Sequence, residues 1–192
     1  MQHHFFAYMA RMKHIKRWGL RRNTREENVQ EHSLQVVMIA HALALIGKKR
    51  HAIAVDVERV VLYATYHEAS EVITGDLATP IKYFNPGIRD AYKAIERIAS
   101  EKLLDYLPAD LRPEYEPFLF PDESSREWRI VKAADRISAY VKCLEEYASG
   151  NHEFRTAQES IRISIADMNL PEADDFMRDF AVSFSLPLDA LN

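Results

Sequence analysis

The 192-residue chain has little of what interrupts or cross-links a fold: one cysteine, five glycines and eight prolines. The lone Cys143 excludes an intrachain disulfide and suits a reducing compartment. Few breakers favour long helices over many short strands joined by tight turns. No segment alternates apolar and polar residues for long enough to mark a strand, so the expected class is all-α, one domain over residues 1–192. The longest apolar stretch, Val36 to Ile46, is broken by His41 and is shorter than the ~20 residues that span a bilayer. With no secretory signal pattern either, no membrane role and a cytoplasmic location are expected.

Acidic residues are missing from Met1 to Arg25, where Arg11, Lys13, Lys16, Arg17, Arg21, Arg22 and Arg25 are basic. The segment is poor in serine, unlike a transit peptide, and an anion site is the alternative. The net charge of −4 offers no general attraction for nucleic acid, and the basic segment lacks a repeating aromatic platform, so no nucleic-acid partner is expected.

Helical spacing organises what is present. Phe5 to Lys16 reads as a short helix. Asn28-Val29-Gln30-Glu31 has a capping-box pattern and opens a helix through Leu34, Val37, Met38, Ala42 and Leu45, with Gly47 as the expected stop. Asp56 opens the next, which runs through Val60, Ala64 and His67 to end between Ile73 and Gly75. A loop with Asp76, Thr79 and Pro80 follows. Asn85-Pro86-Gly87 reads as a turn before a helix from Ile88 to Tyr106. Pro108, Pro113, Pro117 and Pro121 mark an irregular connection. Ser124 to Glu127 reads as a second capping box, opening a helix through Asp135 that stops near Gly150. Glu153 to Met168 and Glu172 to Phe180 are the last helices.

His67, Glu68 and Glu71 share one stretch of this pattern. They fit a metal-binding face, or two solvated acids beside a buried histidine. His32 beside Leu34 and Val36 fits a ligand or a satisfied core histidine. Asp135 is more telling: amid Val131, Ala133, Ala134 and Ile137, an ionised carboxylate needs a cationic or metal partner. Arg136 is the nearest cation in sequence, but helical neighbours point apart.

The order His32, then His67-Glu68, then a distant Asp135 resembles the HD-domain metal-dependent phosphohydrolases. Closer resemblance is to the bacterial 5'-deoxynucleotidase family, carried by Arg17-Trp18, Glu27-Asn28-Val29, Glu31 through Val36, Ser70-Glu71-Val72, Gly75-Asp76-Leu77, Thr79 through Asn85 with Tyr83, and Cys143 through Glu146. The resemblance covers nearly the whole chain and implies a single HD-type helical bundle. It implies His32, His67, Glu68 and Asp135 as ligands of a divalent cation: cobalt, manganese, magnesium or zinc. It further implies Glu71 as catalytic base, Arg17 as catalytic and phosphate-holding residue, and Trp18 as a wall for base or sugar. His32, Asp135 and the loop Asp76, Leu77, Ala78 and Thr79 complete the deoxynucleotide pocket. The residue after the second histidine is aspartate in the family pattern and Glu68 here, one methylene longer. Proline is frequent where this chain has Ala78.

The expected activity is hydrolysis of deoxyribonucleoside 5'-monophosphates. The alternatives are a small HD-type triphosphohydrolase acting on dATP, and a nucleotide-binding protein whose catalysis Glu68 has impaired. The small-molecule deoxynucleotide is the expected partner, and a homodimer is implied by the family, its interface supplied by the final apolar helices.

Overall fold

The computed structural model describes residues 2–82 and 84–191; Tyr83 of the family-like motif lies outside them. Among the described residues the only β pairing is an isolated antiparallel bridge between Lys16 and Asn28. The chain opens with α1 (Phe5–Met9), which tightens into a 3-10 turn over Ala10–His14 rather than continuing as one helix to Lys16. Then come α2 (Val29–Arg50), α3 (Val57–Tyr66), α4 (Glu71–Thr74), α5 (Thr79–Lys82) and α6 (Pro86–Asp105). The second half holds α7 (Arg112–Leu119), α8 (Arg126–Ala148), α9 (Arg155–Ala166) and α10 (Pro171–Phe180).

Caps explain most of the starts. Asn28 accepts from the Gln30 and Glu31 N–H groups, both at 3.0 Å, and Asp56 accepts from Arg59 N–H at 3.0 Å. Asn85 caps α6 by accepting from Ile88 N–H at 2.9 Å, and Pro86 fills its first turn. Asn85-Pro86-Gly87 is therefore a helix start rather than a turn before one. At α8 the cap is Ser125, one residue later than the sequence pattern suggested. Glu127 is not reaching back to it; its carboxylate accepts from Asp56 N–H at 3.1 Å.

Three stretches depart from the periodicity. α2 runs past Gly47, which is buried with Glu172 and Ile53 side-chain atoms 3.7 Å from where its Cβ would stand. The basic Lys48, Lys49 and Arg50 suit the last turn's dipole, so the helix ends three residues on. α7 forms inside the proline-rich stretch because Pro113 sits in its first turn, where no N–H is needed; only Pro117 removes an internal hydrogen bond. Thr79–Lys82, read as loop, makes a single turn of helix.

A fourth departure places the functional residues. α3 stops at Tyr66, so His67, Glu68 and Glu71 do not share a helix. His67 Nδ1 donates to the Ala64 carbonyl at 2.7 Å, the acceptor that a continued helix would need for residue 68. Tighter bonds carry the chain round, Ala69 N–H to Tyr66 O at 2.9 Å and Glu71 N–H to Glu68 O at 3.1 Å. Buried Ala69 pins this turn against Phe5, Leu103, Leu107 and Leu119.

α2, α3 and α8 form the centre, with Val36, Ile39, Leu43, Val60, Ile130, Ile137 and Val141 buried between them; Ile165, Leu170 and Phe176 close the core from the C-terminal side. Burying one such side chain contributes about 1.5–3 kcal/mol. The same three helices carry or end beside His32, His67 and Asp135, so core packing sets their spacing. α2 is long and apolar enough to cross a bilayer, though its longest uninterrupted apolar run is not; half of its most apolar window is buried in the bundle, as in a core helix.

Candidate metal and nucleotide site

His32, His67, Glu68 and Asp135 each offer one donor atom, and the four lie within 4.8 Å of one another. Both imidazoles are fully buried; the Glu68 and Asp135 side chains are 16% and 19% exposed, so the cluster opens on one side. The longer Glu68 side chain reaches the group, its Oε1 3.4 Å from His67 Nε2. The chain's exit from helical geometry at His67 lets residues adjacent in sequence converge.

The hydrogen bonds of the imidazoles suit a cation between them. His67 donates through Nδ1, which leaves Nε2 buried with no hydrogen-bond partner and its lone pair facing the cluster. Burial holds His67 below the usual histidine range despite the carboxylates of Glu68 and Asp135, so it is neutral. Ser138 gives its hydroxyl proton to Gln35 Oε1 at 2.6 Å, so its oxygen accepts from His32 Nδ1 at 3.1 Å. In the Nδ1–H tautomer that this contact sets, His32 presents a lone pair on Nε2, 3.1 Å from Asp135 Oδ1. Acceptors this close call for a proton or a metal ion between them, and nitrogen and carboxylate oxygen suit zinc, manganese, cobalt or magnesium.

The second Asp135 oxygen accepts from Lys132 Nζ at 3.0 Å. Burial opposes the Asp135 charge, but the Lys132 ammonium holds its carboxyl well below the usual range. Arg136, the cation next to it in sequence, donates instead to Ser164 O at 2.9 Å. Lys132 was within reach of sequence reasoning, since three residues along a helix share a face.

Glu71 is 6% exposed and borders Glu68. Burial, then the adjacent Glu68 charge, pushes its carboxyl up to about 11, and Oε2 has no hydrogen-bond partner. Glu68 is held at about 2: burial opposes its charge, but His67 and the hydrogen bond from Glu71 outweigh that. One proton thus sits between the two carboxylates, on Glu71. Burial also raises the Asp76 carboxyl, with Arg17 pulling against it and Glu68 adding to it.

Arg17 stands among these acids. Burial works against its charge, but Glu68, Asp135, Glu27 and Asp76 raise its pKa above the ordinary arginine value. Trp18 follows at φ +60°, in the left-handed region, which costs a bulky residue on the order of 1–2 kcal/mol. Its ring packs edge-on against Phe154, centroids 5.4 Å apart. The two residues on the acid-free N-terminal segment therefore sit differently, Arg17 in the field of the cluster and Trp18 on a strained, packed loop beside it.

Six residues singled out in sequence thus come together: His32, His67, Glu68, Asp135, Glu71 and Arg17, with Asp76 in the same field. No hydrogen bond, ion pair or electrostatic interaction among the described residues joins Leu77, Ala78 or Thr79 to the cluster; they are near it only through Asp76. Sequence reasoning gave no role to Gln35, Ser138 and Lys132, and none to Lys82, whose ammonium donates to Glu96 Oε1 at 2.8 Å and feels the Glu68 charge.

Known proteins share this fold and, over the whole chain, much of this sequence. Solved structures share the fold: an HD-domain phosphohydrolase from Listeria innocua matches at a TM-score of 0.82 and 21% identity, covering 94% of this chain and 87% of that one. A cyanophage S-2L HD phosphohydrolase, bound to dA and one catalytic Zn2+ ion, matches at 0.66 and 18% identity, covering 96% and 98%. In sequence, a 5'-deoxynucleotidase of Vibrio vulnificus is 50% identical over 98% of both chains. One of Klebsiella pneumoniae is 51% identical over 100% of this chain and 96% of that one. The profile of YfbR-like 5'-deoxynucleotidases matches residues 4–184. With half of its residues shared end to end with such relatives, the chain belongs to the YfbR-like 5'-deoxynucleotidase family.

Proposed function

We propose that the protein is a divalent-cation-dependent 5'-deoxynucleotidase, hydrolysing deoxyribonucleoside 5'-monophosphates to deoxyribonucleosides and orthophosphate. The observation that carries this reading is the convergence of four donor atoms from His32, His67, Glu68 and Asp135 within 4.8 Å, beside Arg17. The names of the half-identical relatives support the substrate class.

His32, His67, Glu68 and Asp135 hold the cation, which, when bound, polarises a phosphate oxygen and lowers the pKa of water. The guanidinium of Arg17 offers paired donors that match two phosphate oxygens and offset the charge developing there. Glu71 carries a proton while Glu68 bears full charge beside it. With Glu68 engaged as a ligand that repulsion would fall and Glu71 would give up its proton to solvent; its carboxylate would then take the proton of the attacking water as the phosphorus–oxygen ester bond breaks and pass it to the departing 5'-oxygen. Trp18 walls the base or sugar, and Asp76, Leu77, Ala78 and Thr79 line the sugar side, with Asp76 and Thr79 offering hydrogen bonds to the 3'-hydroxyl. The zinc in the cyanophage neighbour supports zinc for the ion, and the nitrogen and oxygen donors suit manganese, cobalt or magnesium as well.

The test is product identification from dAMP, AMP and dATP, each with manganese, cobalt, magnesium and zinc. Phosphate release from dAMP exceeding that from AMP is the expected result. Equal rates on AMP would remove the deoxy preference. Intact dAMP beside tripolyphosphate from dATP would overturn the reading in favour of a triphosphohydrolase.

The enzyme is further proposed to act as a cytoplasmic homodimer. Exposed Phe180 at the end of α10, with Val182, Leu186 and Leu188 beyond it, supports a self-association surface, and the buried, unpaired Cys143 suits a reducing compartment. Light scattering on the eluting protein reads the assembly directly.

A further inference from the structure

Residues 15–29 leave the bundle and return to it, closed at the base by Arg17 N–H to Glu27 O and Val29 N–H to Ile15 O, both 2.9 Å. At that base one oxygen does two things. Glu27 Oε2 accepts from the Trp18 indole N–H at 2.8 Å and from Arg17 Nε at 3.3 Å. The Arg17 and Glu27 side chains are only 12% and 13% exposed, so water competes poorly for these bonds.

Each bond answers a need the site creates. Glu68, Asp135 and Asp76 all pull on the Arg17 guanidinium. An unanchored side chain would fold onto the ligand carboxylates instead of standing off from them. Anchoring through Nε keeps it back and leaves Nη1 and Nη2, which make no hydrogen bond among the described residues, for an anion. Trp18 holds a left-handed backbone that persists only where contacts over-determine it. Those contacts are the Glu27 bond, the Phe154 ring, and the Trp18 carbonyl accepting from Arg21 N–H at 2.9 Å.

We propose that Glu27 is a positioning residue of the nucleotide site, whose single carboxylate oxygen sets the Arg17 guanidinium and the Trp18 indole in one fixed relation. It reaches no reacting atom itself. The inference rests on Arg17 and Trp18 meeting phosphate and nucleoside as proposed above, and it makes their spacing a property of one side chain. A deoxynucleoside monophosphate carries its anion at a fixed distance from its sugar and base, so this relation selects for a ligand of that length.

The test uses the full chain labelled with 5-fluorotryptophan. Its two tryptophans, Trp18 and Trp128, give two 19F resonances, assigned with Trp128→Phe. In Glu27→Ala the Trp18 resonance is expected to shift or broaden while that of Trp128 stays. The KM for dAMP is expected to rise by about tenfold or more, the scale of one charge-assisted hydrogen bond, with kcat changed far less. In Glu27→Gln the amide oxygen keeps the indole bond but not the charge on Arg17, so the Trp18 resonance stays in place while KM still rises. If Glu27→Ala fails to fold, the Gln variant decides. A wild-type KM in whichever variant folds overturns the proposal, as does an unmoved Trp18 resonance in Glu27→Ala. If the wild type does not hydrolyse dAMP, the proposed function fails, yet this inference is still read by the 19F spectra and by weaker binding of inorganic phosphate to both variants.

Discussion

Ser138 Oγ stands 3.1 Å from His32 Nδ1 with its own proton already directed to Gln35, so it acts on the histidine as an acceptor. That single contact decides which His32 nitrogen faces the carboxylates. It links an intermediate-depth glutamine on α2 to the chemistry of a fully buried ligand.

Ser138→Ala removes the acceptor without adding bulk, and His32 is then free to place its proton on Nε2. Divalent-cation affinity is expected to fall by about 10- to 100-fold, the usual consequence of losing a partner that orients a ligand. Titration calorimetry with manganese reads the affinity, and the metal-free melting temperature should change little. Unchanged affinity would show that the His32 tautomer is set elsewhere.

Glu71→Gln keeps a hydrogen-bond donor toward Glu68 but cannot accept a proton. It is expected to lower kcat on dAMP by about 10^2 to 10^4, the range for removing a general base, while manganese still binds. Loss of manganese binding together with activity would make Glu71 a support for Glu68 rather than the base.

Glu146 gathers the loop onto α8: it accepts from Thr24 N–H at 2.9 Å and from Asn151 Nδ2 at 2.8 Å, and it pairs with Lys142. Burial opposes its charge, but the bonds from Lys142, Thr24 and Asn151 hold its carboxyl at about 2. A folded pKa below the ordinary 4.5 means the unfolded chain takes up the proton first. The stabilisation is therefore complete above pH 4.5 and fades as pH falls toward 2. Wild type should melt well above Glu146→Gln at pH 6, and the gap should narrow at pH 3.5. A gap independent of pH would show that the charge of Glu146 does not contribute.

The parts of the site legible in sequence were those that violate their surroundings. Asp135 among Val131, Ala134 and Ile137 announces a partner, and Asn28 ahead of an apolar ladder announces a cap. The end of α3 was not legible. Helical spacing continues unbroken through Glu71, and only the reach of His67 Nδ1 to the Ala64 carbonyl takes the chain out of it. The helix at Arg112–Leu119 was hidden by prolines, one of which occupies a first turn where it does no harm. Roles for Glu27 and Ser138 were invisible for another reason. Their contacts cross nine or ten residues for Glu27 and 106 for Ser138, and follow no period.

Glu172 carries a further consequence, for stability rather than catalysis. It is fully buried under the C-terminal half of α2, next to Gly47, and both of its oxygens accept from Arg126 Nη2, at 2.6 and 2.8 Å. Removing a charge from water is costly, so the pair contributes little net stability, but each member depends on the other. Arg126→Met leaves the carboxylate buried without its counter-charge and is expected to cost about 3–5 kcal/mol in urea unfolding. Pairing it with Glu172→Leu removes the stranded charge, and the double variant should regain most of that loss. The residual depends on how well leucine fills the space against Gly47 and Ile53. Additive losses in the double variant would mean that the two side chains act independently and that the junction of α2, α8 and α10 is held by apolar packing alone.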